Sequence, residues 1–216
     1  MSNPSNRNIR RGTSRAAAAL AVFVLSGCVP DPNAETPSFA ESGGQTQAEL
    51  DATLATIDGL VVSNASGSEP NAKGNTGYGY DIALDAGYEI ADVPGLIDFL
   101  VDSAWSVRDG YMPNTTVRIS LDAGPLPDDK IDVVDAAETA GWVPEGSQSH
   151  GIGDDGGSMP EYDNGSTSVD IWLAIENSSD RADERGAFVN RDRLGDWPGD
   201  PAELPQGLIV PRVSAE

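Results

Sequence analysis

Residues 78–105, YGYDIALDAGYEIADVPGLIDFLVDSAW, contain the two periodicities that decide the fold. Apolar side chains alternate with small or charged ones from Tyr78 to Leu84, as in a strand that is buried on one face only. After Pro94, which fits the first turn of a helix, apolar side chains recur at helical spacing. The stretch therefore predicts a half-buried strand followed by an amphipathic helix, whose apolar stripe comprises Leu96, Ile97, Leu100, Val101, Ala104 and Trp105.

The residues before this stretch predict a short helix and another strand. Apolar side chains recur at helical spacing over residues 47–57, and Gly59 is suited to end that helix. A strand is expected to begin at Leu60, and a loop rich in Gly, Asn and Ser is expected over residues 64–75.

The residues after this stretch predict two more strands with a helix between them. Apolar and polar side chains alternate over residues 115–122 and again over residues 169–175. Asp128 is a suitable N-cap for the intervening helix, which is expected to extend to about Ala140, where Gly141 ends it. The predicted order of elements is therefore helix, strand, strand, helix, strand, helix and strand.

The alternation within these strands also predicts the fold class. Strands that are apolar on one face need helices packed against that face. The sequence therefore predicts an α+β fold, a two-layer sandwich in which two or three helices cover one face of about four mainly antiparallel strands. The order of these elements resembles that of a ferredoxin-like fold in circularly permuted form.

The acidity of the chain excludes several classes of function. Asp and Glu number 35 against 13 Lys and Arg, a formal net charge of −22, and residues 50–175 contain 22 acidic but only four basic residues. Nucleic-acid binding needs a basic surface, so we expect no nucleic-acid partner. The chain has one Cys and one His, which excludes an internal disulfide and a zinc site built from Cys and His ligands.

The first 28 residues have the layout of an export signal. Four Arg residues and no acid precede an apolar run from Ala16 to Leu25, which is shorter than the roughly 20 residues of a membrane-spanning helix. Small residues and a Cys follow, and the motif Leu25-Ser26-Gly27-Cys28 resembles the lipobox of bacterial lipoproteins. In composition and layout the chain is similar to uncharacterised acidic lipoproteins of actinobacteria.

The resemblance to lipoproteins implies a modification and a location. In that family the signal, here residues 1–27, is removed, and diacylglycerol is attached to the sulfur of the Cys, here Cys28, with fatty acids such as palmitate. The lipid then holds the mature chain at the outer face of the cell membrane, in the cell envelope. Residues 28–49 would form an extended tether, residues 50–175 a folded domain, and residues 176–216 an irregular C-terminal extension that packs on the domain.

The sequence contains no motif that is typical of a catalytic site. His150 is the only imidazole base available for a Ser-His-Asp triad, and it lies in a polar loop without a G-x-S-x-G motif. Asp98 and Asp102 share one side of the predicted helix and are interpreted as a solvated face. We therefore favour a non-enzymatic envelope protein that binds or interacts with another envelope component. The alternative is a surface hydrolase that depends on carboxylates or on calcium.

A Gly-rich loop in the second half of the chain contains four acidic side chains that are available to calcium. Calcium prefers six to eight oxygen ligands, and an exported acidic protein meets this ion outside the cell. The D-x-D-x-D-G spacing of an EF-hand is absent from this loop. Calcium is therefore a candidate cofactor, whose ligands would be Asp154, Asp155, Glu161 and Asp163.

Trp172 is the candidate binding residue of the last predicted strand. The alternation places it on the face opposite Val169 and Ile171, which are expected to face the core. An exposed Trp is typical of surfaces that bind sugars or proteins. The alternative is that the C-terminal extension covers this side chain.

Overall fold

The computed structural model describes residues 39–122, 131–145, 168–173 and 187–213. Within these ranges the chain forms four helices and six strands, and no helix is both long and apolar enough to cross a bilayer. The elements in chain order are α1 (Gln47–Leu54), β1 (Leu60–Gly67), β2 (Gly77–Leu84), β3 (Tyr88–Ile90), α2 (Val93–Ser106), β4 (Thr116–Asp122), α3 (Val133–Thr139), β5 (Ser168–Trp172), α4 (Ala187–Leu194) and β6 (Ile209–Pro211).

Four of the strands form a mixed sheet in the order β1-β2-β4-β5. The two outer pairs are antiparallel, whereas the central pair, β2 and β4, is parallel. The central pair is parallel because α2 carries the chain back to the end of the sheet at which β2 began. The predicted α+β class and the four strands are confirmed, and the sheet is mixed in direction.

One face of this sheet is apolar, as the alternation predicted. Tyr80 lies beside Ile119 on β4, and Ile119 lies beside Val169 on β5, so the buried side chains form one continuous surface across the strands. These side chains and the buried residues of α1, α2 and α3 belong to one hydrophobic cluster. On β2, β4 and β5 the members of this cluster are Tyr78, Tyr80, Ile82, Val117, Ile119, Leu121, Val169 and Ile171.

The helix that the opening stretch predicts is confirmed as α2. It begins after Asp92, whose carboxylate accepts a hydrogen bond from the N–H of Gly95 (2.9 Å), and Pro94 lies in its first turn. The helix is buried beyond the predicted stripe, since Phe99 is also only 3 % exposed. Other parts of the chain must therefore cover α2 on a side outside the predicted stripe.

The C-terminal segment, residues 187–213, is bonded to the end of α2. The indole N–H of Trp105 donates to the carbonyl oxygen of Asp196 (3.3 Å), and the N–H of Gly199 donates to the carbonyl oxygen of Trp105 (3.3 Å). Further on, β6 pairs antiparallel with β3, which places Ile209 beside Ile90. The C-terminal segment is thus bonded both to the end of α2 and to the strand that precedes it.

The N-terminus of α3 differs from the sequence prediction. The helix begins at Val133, and its N-cap is Asp132 rather than Asp128. The Asp132 carboxylate accepts hydrogen bonds from the N–H groups of Val134 (2.9 Å) and Asp135 (3.2 Å). The acidic run before the helix contains several residues that can act as caps, and the point at which buried apolar residues begin decides between them.

Two glycines form the turns that follow the first and third helices. α1 ends at Leu54, before the predicted end, and Gly59 forms the turn into β1 with φ +82°. A Cβ atom at Gly59 would overlap the ring of Tyr88, so the position needs glycine for space as well as for conformation. Gly141 has φ +77° directly after α3, in agreement with the predicted end of that helix.

β1 continues into the stretch for which a loop was expected, residues 64–75. Its pairing with β2 shifts register between Val62 and Asn64, and it then resumes with Asn64 beside Asp81 and Ala65 beside Tyr80. This bulge inserts one residue, so that Ala65 returns to the face on which Val62 lies. The polar composition of this segment concealed the strand, because the bulge interrupts the alternation.

Candidate functional site

Most of the site residues named from the sequence lie outside the described residues. This applies to Cys28 and the motif that resembles a lipobox, to His150, and to the four acidic candidates for calcium, Asp154, Asp155, Glu161 and Asp163. Within the described ranges, no three or more His, Cys, Asp or Glu side chains are grouped so that they could hold a metal ion.

Trp172 lies on β5, on the face of the sheet opposite the buried Val169 and Ile171. It is half-buried, and its carbonyl oxygen accepts a hydrogen bond from the side-chain amide of Asn190 on α4 (3.0 Å). The C-terminal extension therefore reaches this strand. The same face carries an ion pair between β4 and β5, Arg118 with Asp170, at 2.7 Å and 3.0 Å.

Asp98 and Asp102 on α2 have different surroundings. The Oδ1 atom of Asp98 accepts hydrogen bonds from the indole of Trp142 (2.6 Å) and from the guanidinium of Arg193 (2.8 Å). Asp102 is exposed. Because the Asp98 carboxylate is held by an indole and a guanidinium, its contacts join helices together.

A pocket with a volume of about 300 Å³ lies where β1 ends and β2 begins, beside the start of α1. We call it the aromatic pocket, because three aromatic rings contribute to its wall. The segment that follows α2 supplies a further part of the lining. The lining residues are Phe39, Gln47, Ser66, Gly67, Glu69, Tyr78, Val107, Asp109, Gly110 and Tyr111.

Backbone hydrogen bonds bring two distant segments together at this pocket. The N–H of Ala40 donates to the carbonyl oxygen of Arg108 (3.0 Å), and the N–H of Arg108 donates to the carbonyl oxygen of Gln45 (2.8 Å). As a result, the ring of Phe39 lies against that of Tyr111, with 5.7 Å between the centroids and a tilt of 37°. The ring of Phe39 remains 57 % exposed, so it is accessible from solvent.

Gln47 organises the inner wall of the aromatic pocket. Its Oε1 atom accepts a hydrogen bond from the Tyr78 hydroxyl (2.7 Å), and its Nε2 atom donates to Asp51 Oδ1 (2.7 Å) and to the carbonyl oxygen of Ala65 (2.9 Å). Burial raises the pKa of the Tyr78 hydroxyl well above its usual value, so this side chain stays a neutral donor. Hydrogen bonds between α1, β1 and β2 therefore hold this wall in place.

Two carboxylates line the pocket from exposed positions. Asp109 Oδ1 accepts a hydrogen bond from the N–H of Gln47 (2.8 Å), at the positive end of the α1 dipole. The carboxylate of Glu69 receives no hydrogen bond and no ion pair from any other residue that the structure describes. The pocket thus combines an aromatic wall with negative charge.

Sequence reasoning did not find this pocket. Phe39 falls in the range expected to be a tether, and Tyr111 lies between the predicted helix and the next predicted strand, where no element was assigned. The one available signal was an aromatic residue within a polar, Pro-containing segment. No local pattern relates Phe39 to Tyr111, because the segments that carry them are distant in the chain.

Comparison with known proteins adds no relative. No protein-family model, no curated protein and no solved structure matches this chain.

Proposed function

We propose that this protein is a lipid-anchored extracytoplasmic protein whose folded domain is a non-enzymatic binding module. Cys28 carries diacylglycerol, and residues 1–27 are the signal that is removed. The observation that supports the binding role is the aromatic pocket, whose polar side chains of Gln47 and Tyr78 are bonded to each other and so maintain its shape. The partner is another component of the cell envelope, and the acidity of the domain argues against nucleic acid.

The lipid is the part of the molecule that attaches it to the membrane. Two or more acyl chains hold a protein stably at a bilayer, whereas one chain gives only marginal binding. Loss of the signal removes four Arg and no acid, so the mature chain is even more negative than the full chain with its net charge of −22. Anionic lipids repel such a chain, so the domain contributes no electrostatic attraction to the membrane. Attachment at the outer face of the membrane therefore depends on the lipid at Cys28.

We further propose that the sheet and its helices form two layers in a ferredoxin-like, permuted arrangement. The support is that α1, α2 and α3 share one hydrophobic cluster with a single face of the four-stranded sheet. The antiparallel, parallel, antiparallel sequence of pairings is consistent with this relation. In this chain the crossover from β2 through α2 leads directly to the neighbouring strand β4, in place of a split connection.

Metabolic labelling with a fatty acid in the native host tests the anchor. We expect label on the wild-type protein and none on the Cys28→Ala variant, since Cys28 is the only Cys of the chain. The Ser26→Ala variant is the matched control, because Leu-Ala-Gly-Cys still has the form of a lipobox and should be labelled as well. Equal labelling of wild type and Cys28→Ala would overturn the proposal.

A further inference from the structure

The aromatic pocket has the chemical character of a site for a cation. The rings of Phe39, Tyr78 and Tyr111 contribute to its wall, and the carboxylates of Glu69 and Asp109 lie at exposed positions in its lining. The face of an aromatic ring attracts a cation within about 6 Å, and a carboxylate nearby adds Coulomb attraction. These two kinds of group together favour a positively charged ligand over a neutral or negative one.

Several hydrogen-bond donors of the pocket are already used within the protein. The hydroxyl of Tyr78 donates to Gln47, and the amide of Gln47 donates to two further oxygens of the domain. The hydroxyl of Ser66 donates to Asn64 Oδ1 (2.9 Å). Among the described lining residues, the only other side-chain hydroxyl is that of Tyr111. An anion needs donors from the protein, whereas an ammonium ion brings its own charge and needs only acceptors and rings.

The charge in and around the pocket also favours a cation over an anion. None of the described residues that line it is Lys or Arg. Arg108 precedes Asp109 but does not line the pocket. With the chain at a net charge of −22, a cation is also favoured in the approach to this surface.

We propose that the aromatic pocket binds a small organic ammonium ion, an inference that rests on the binding role proposed above. The cationic group lies against the rings of Phe39 and Tyr111, within reach of the carboxylates of Glu69 and Asp109. The volume of about 300 Å³ is at the lower end for small-molecule sites. The ligand is accordingly a compact alkylammonium or quaternary ammonium compound.

Calorimetric titration with a matched pair of probes tests this inference. The protein is the full mature chain, purified from its membrane in a non-ionic detergent that contains no choline. The probes are choline and its neutral carbon analogue, in which a tert-butyl group replaces the trimethylammonium group. We expect choline to bind at least about tenfold more tightly than the analogue, because only choline has the charge that rings and carboxylates attract.

Four variants locate the binding. Tyr111→Leu keeps apolar volume but removes a ring, and it should weaken choline binding about two- to thirtyfold. Tyr111→Phe keeps the ring and should therefore lose less affinity for choline than Tyr111→Leu does. Glu69→Gln removes one lining charge and should weaken binding, whereas Glu203→Gln makes the same change at an exposed position outside the pocket and should leave it unchanged.

Three outcomes would overturn the inference. Equal affinities for the two probes, both reduced in Tyr111→Leu, would show a pocket that binds without selecting charge; the binding role would then stand and the ammonium ion would not. Choline binding that Tyr111→Leu and Glu69→Gln leave unchanged would place the ligand elsewhere. Absence of heat with both probes would remove the ammonium site, while labelling of Cys28 would still decide the anchor separately.

Discussion

The guanidinium carbon of Arg193 lies 3.8 Å from the centroid of the Trp142 ring, and both side chains donate to the same oxygen of Asp98. The second terminal nitrogen of Arg193, Nη1, donates to the carbonyl oxygen of Ala140 (2.7 Å), at the C-terminal end of α3. A cation is favoured there by the dipole of the helix. One residue of α4 thus bonds to both α2 and α3.

Replacement of Arg193 should measure the strength of this connection. We expect Arg193→Met to lower the free energy of unfolding by about 1–2 kcal/mol, because it removes the stacking on Trp142 and the bond to Ala140, while the half-exposed ion pair adds little. Arg193→Lys keeps the charge but not the planar stack, so it should recover only part of the loss. Urea unfolding followed by Trp fluorescence gives the values. Full stability of Arg193→Lys would show that a point charge is sufficient.

Asn190 connects three parts of the fold from a buried position. Its Nδ2 atom donates to the carbonyl oxygens of Trp142 (2.8 Å) and Trp172 (3.0 Å), and the residue is only 1 % exposed. Asn190→Ala leaves two carbonyl groups without this donor, so we expect a loss of about 2–3 kcal/mol in urea unfolding. Val189→Ala, at a neighbouring position that is 67 % exposed, should change stability by less than about 0.5 kcal/mol. Similar small effects at both positions would contradict this role.

The neighbouring tyrosines of β2 should respond in opposite ways to loss of the hydroxyl. The hydroxyl of Tyr80 is buried and has no hydrogen-bond partner among the residues that the structure describes, so Tyr80→Phe should be neutral or should stabilise the protein by up to about 1 kcal/mol. The hydroxyl of Tyr78 donates to Gln47, so Tyr78→Phe should cost about 1 kcal/mol. Thermal unfolding of the two variants in parallel checks the contrast. A larger loss for Tyr80→Phe than for Tyr78→Phe would refute it.

Both tyrosines should also make the protein sensitive to alkali. Burial raises the pKa of Tyr78 and of Tyr80 above the ordinary value of 10.0. Below pH 10 the hydroxyls are protonated in the folded and the unfolded chain, so their contribution to stability is complete. Above it the unfolded chain loses these protons first, and each tyrosine lowers the free energy of unfolding by up to about 1.4 kcal/mol for each pH unit.

Tyrosinate absorbance and circular dichroism, recorded together during an alkaline titration, measure this effect. We expect part of the tyrosinate signal to appear only as the protein unfolds. The double variant Tyr78→Phe, Tyr80→Phe has neither hydroxyl, so its free energy of unfolding should fall less with rising pH than that of the wild type. Once the difference in stability at neutral pH is taken into account, the variant should unfold at a higher pH. Ionisation of all tyrosines before unfolding would contradict the burial of these two hydroxyls.

The long elements could be predicted from sequence because their patterns are local. The alternation in β2, β4 and β5 reflects one buried face of the sheet, and the apolar stripe in α2 reflects a helix packed on the core. The structure confirms these elements, β5 over Ser168–Trp172. The cap of α3 was assigned to Asp128 instead of Asp132, since both acids meet the local requirement and only packing distinguishes them. The strands β3 and β6 have three residues each, too few to show a period.

The amino-acid sequence by itself determined which faces of the helices and strands are apolar, and hence an α+β fold with a four-stranded sheet. The proposed export signal with a lipobox at Cys28 also rests on the sequence alone, because such a signal is read in an unfolded chain. Only the tertiary structure decided that Phe39 meets Tyr111 and that Arg193 stacks on Trp142. Contacts of this kind join segments far apart in the chain, and they follow from the packing of the whole core.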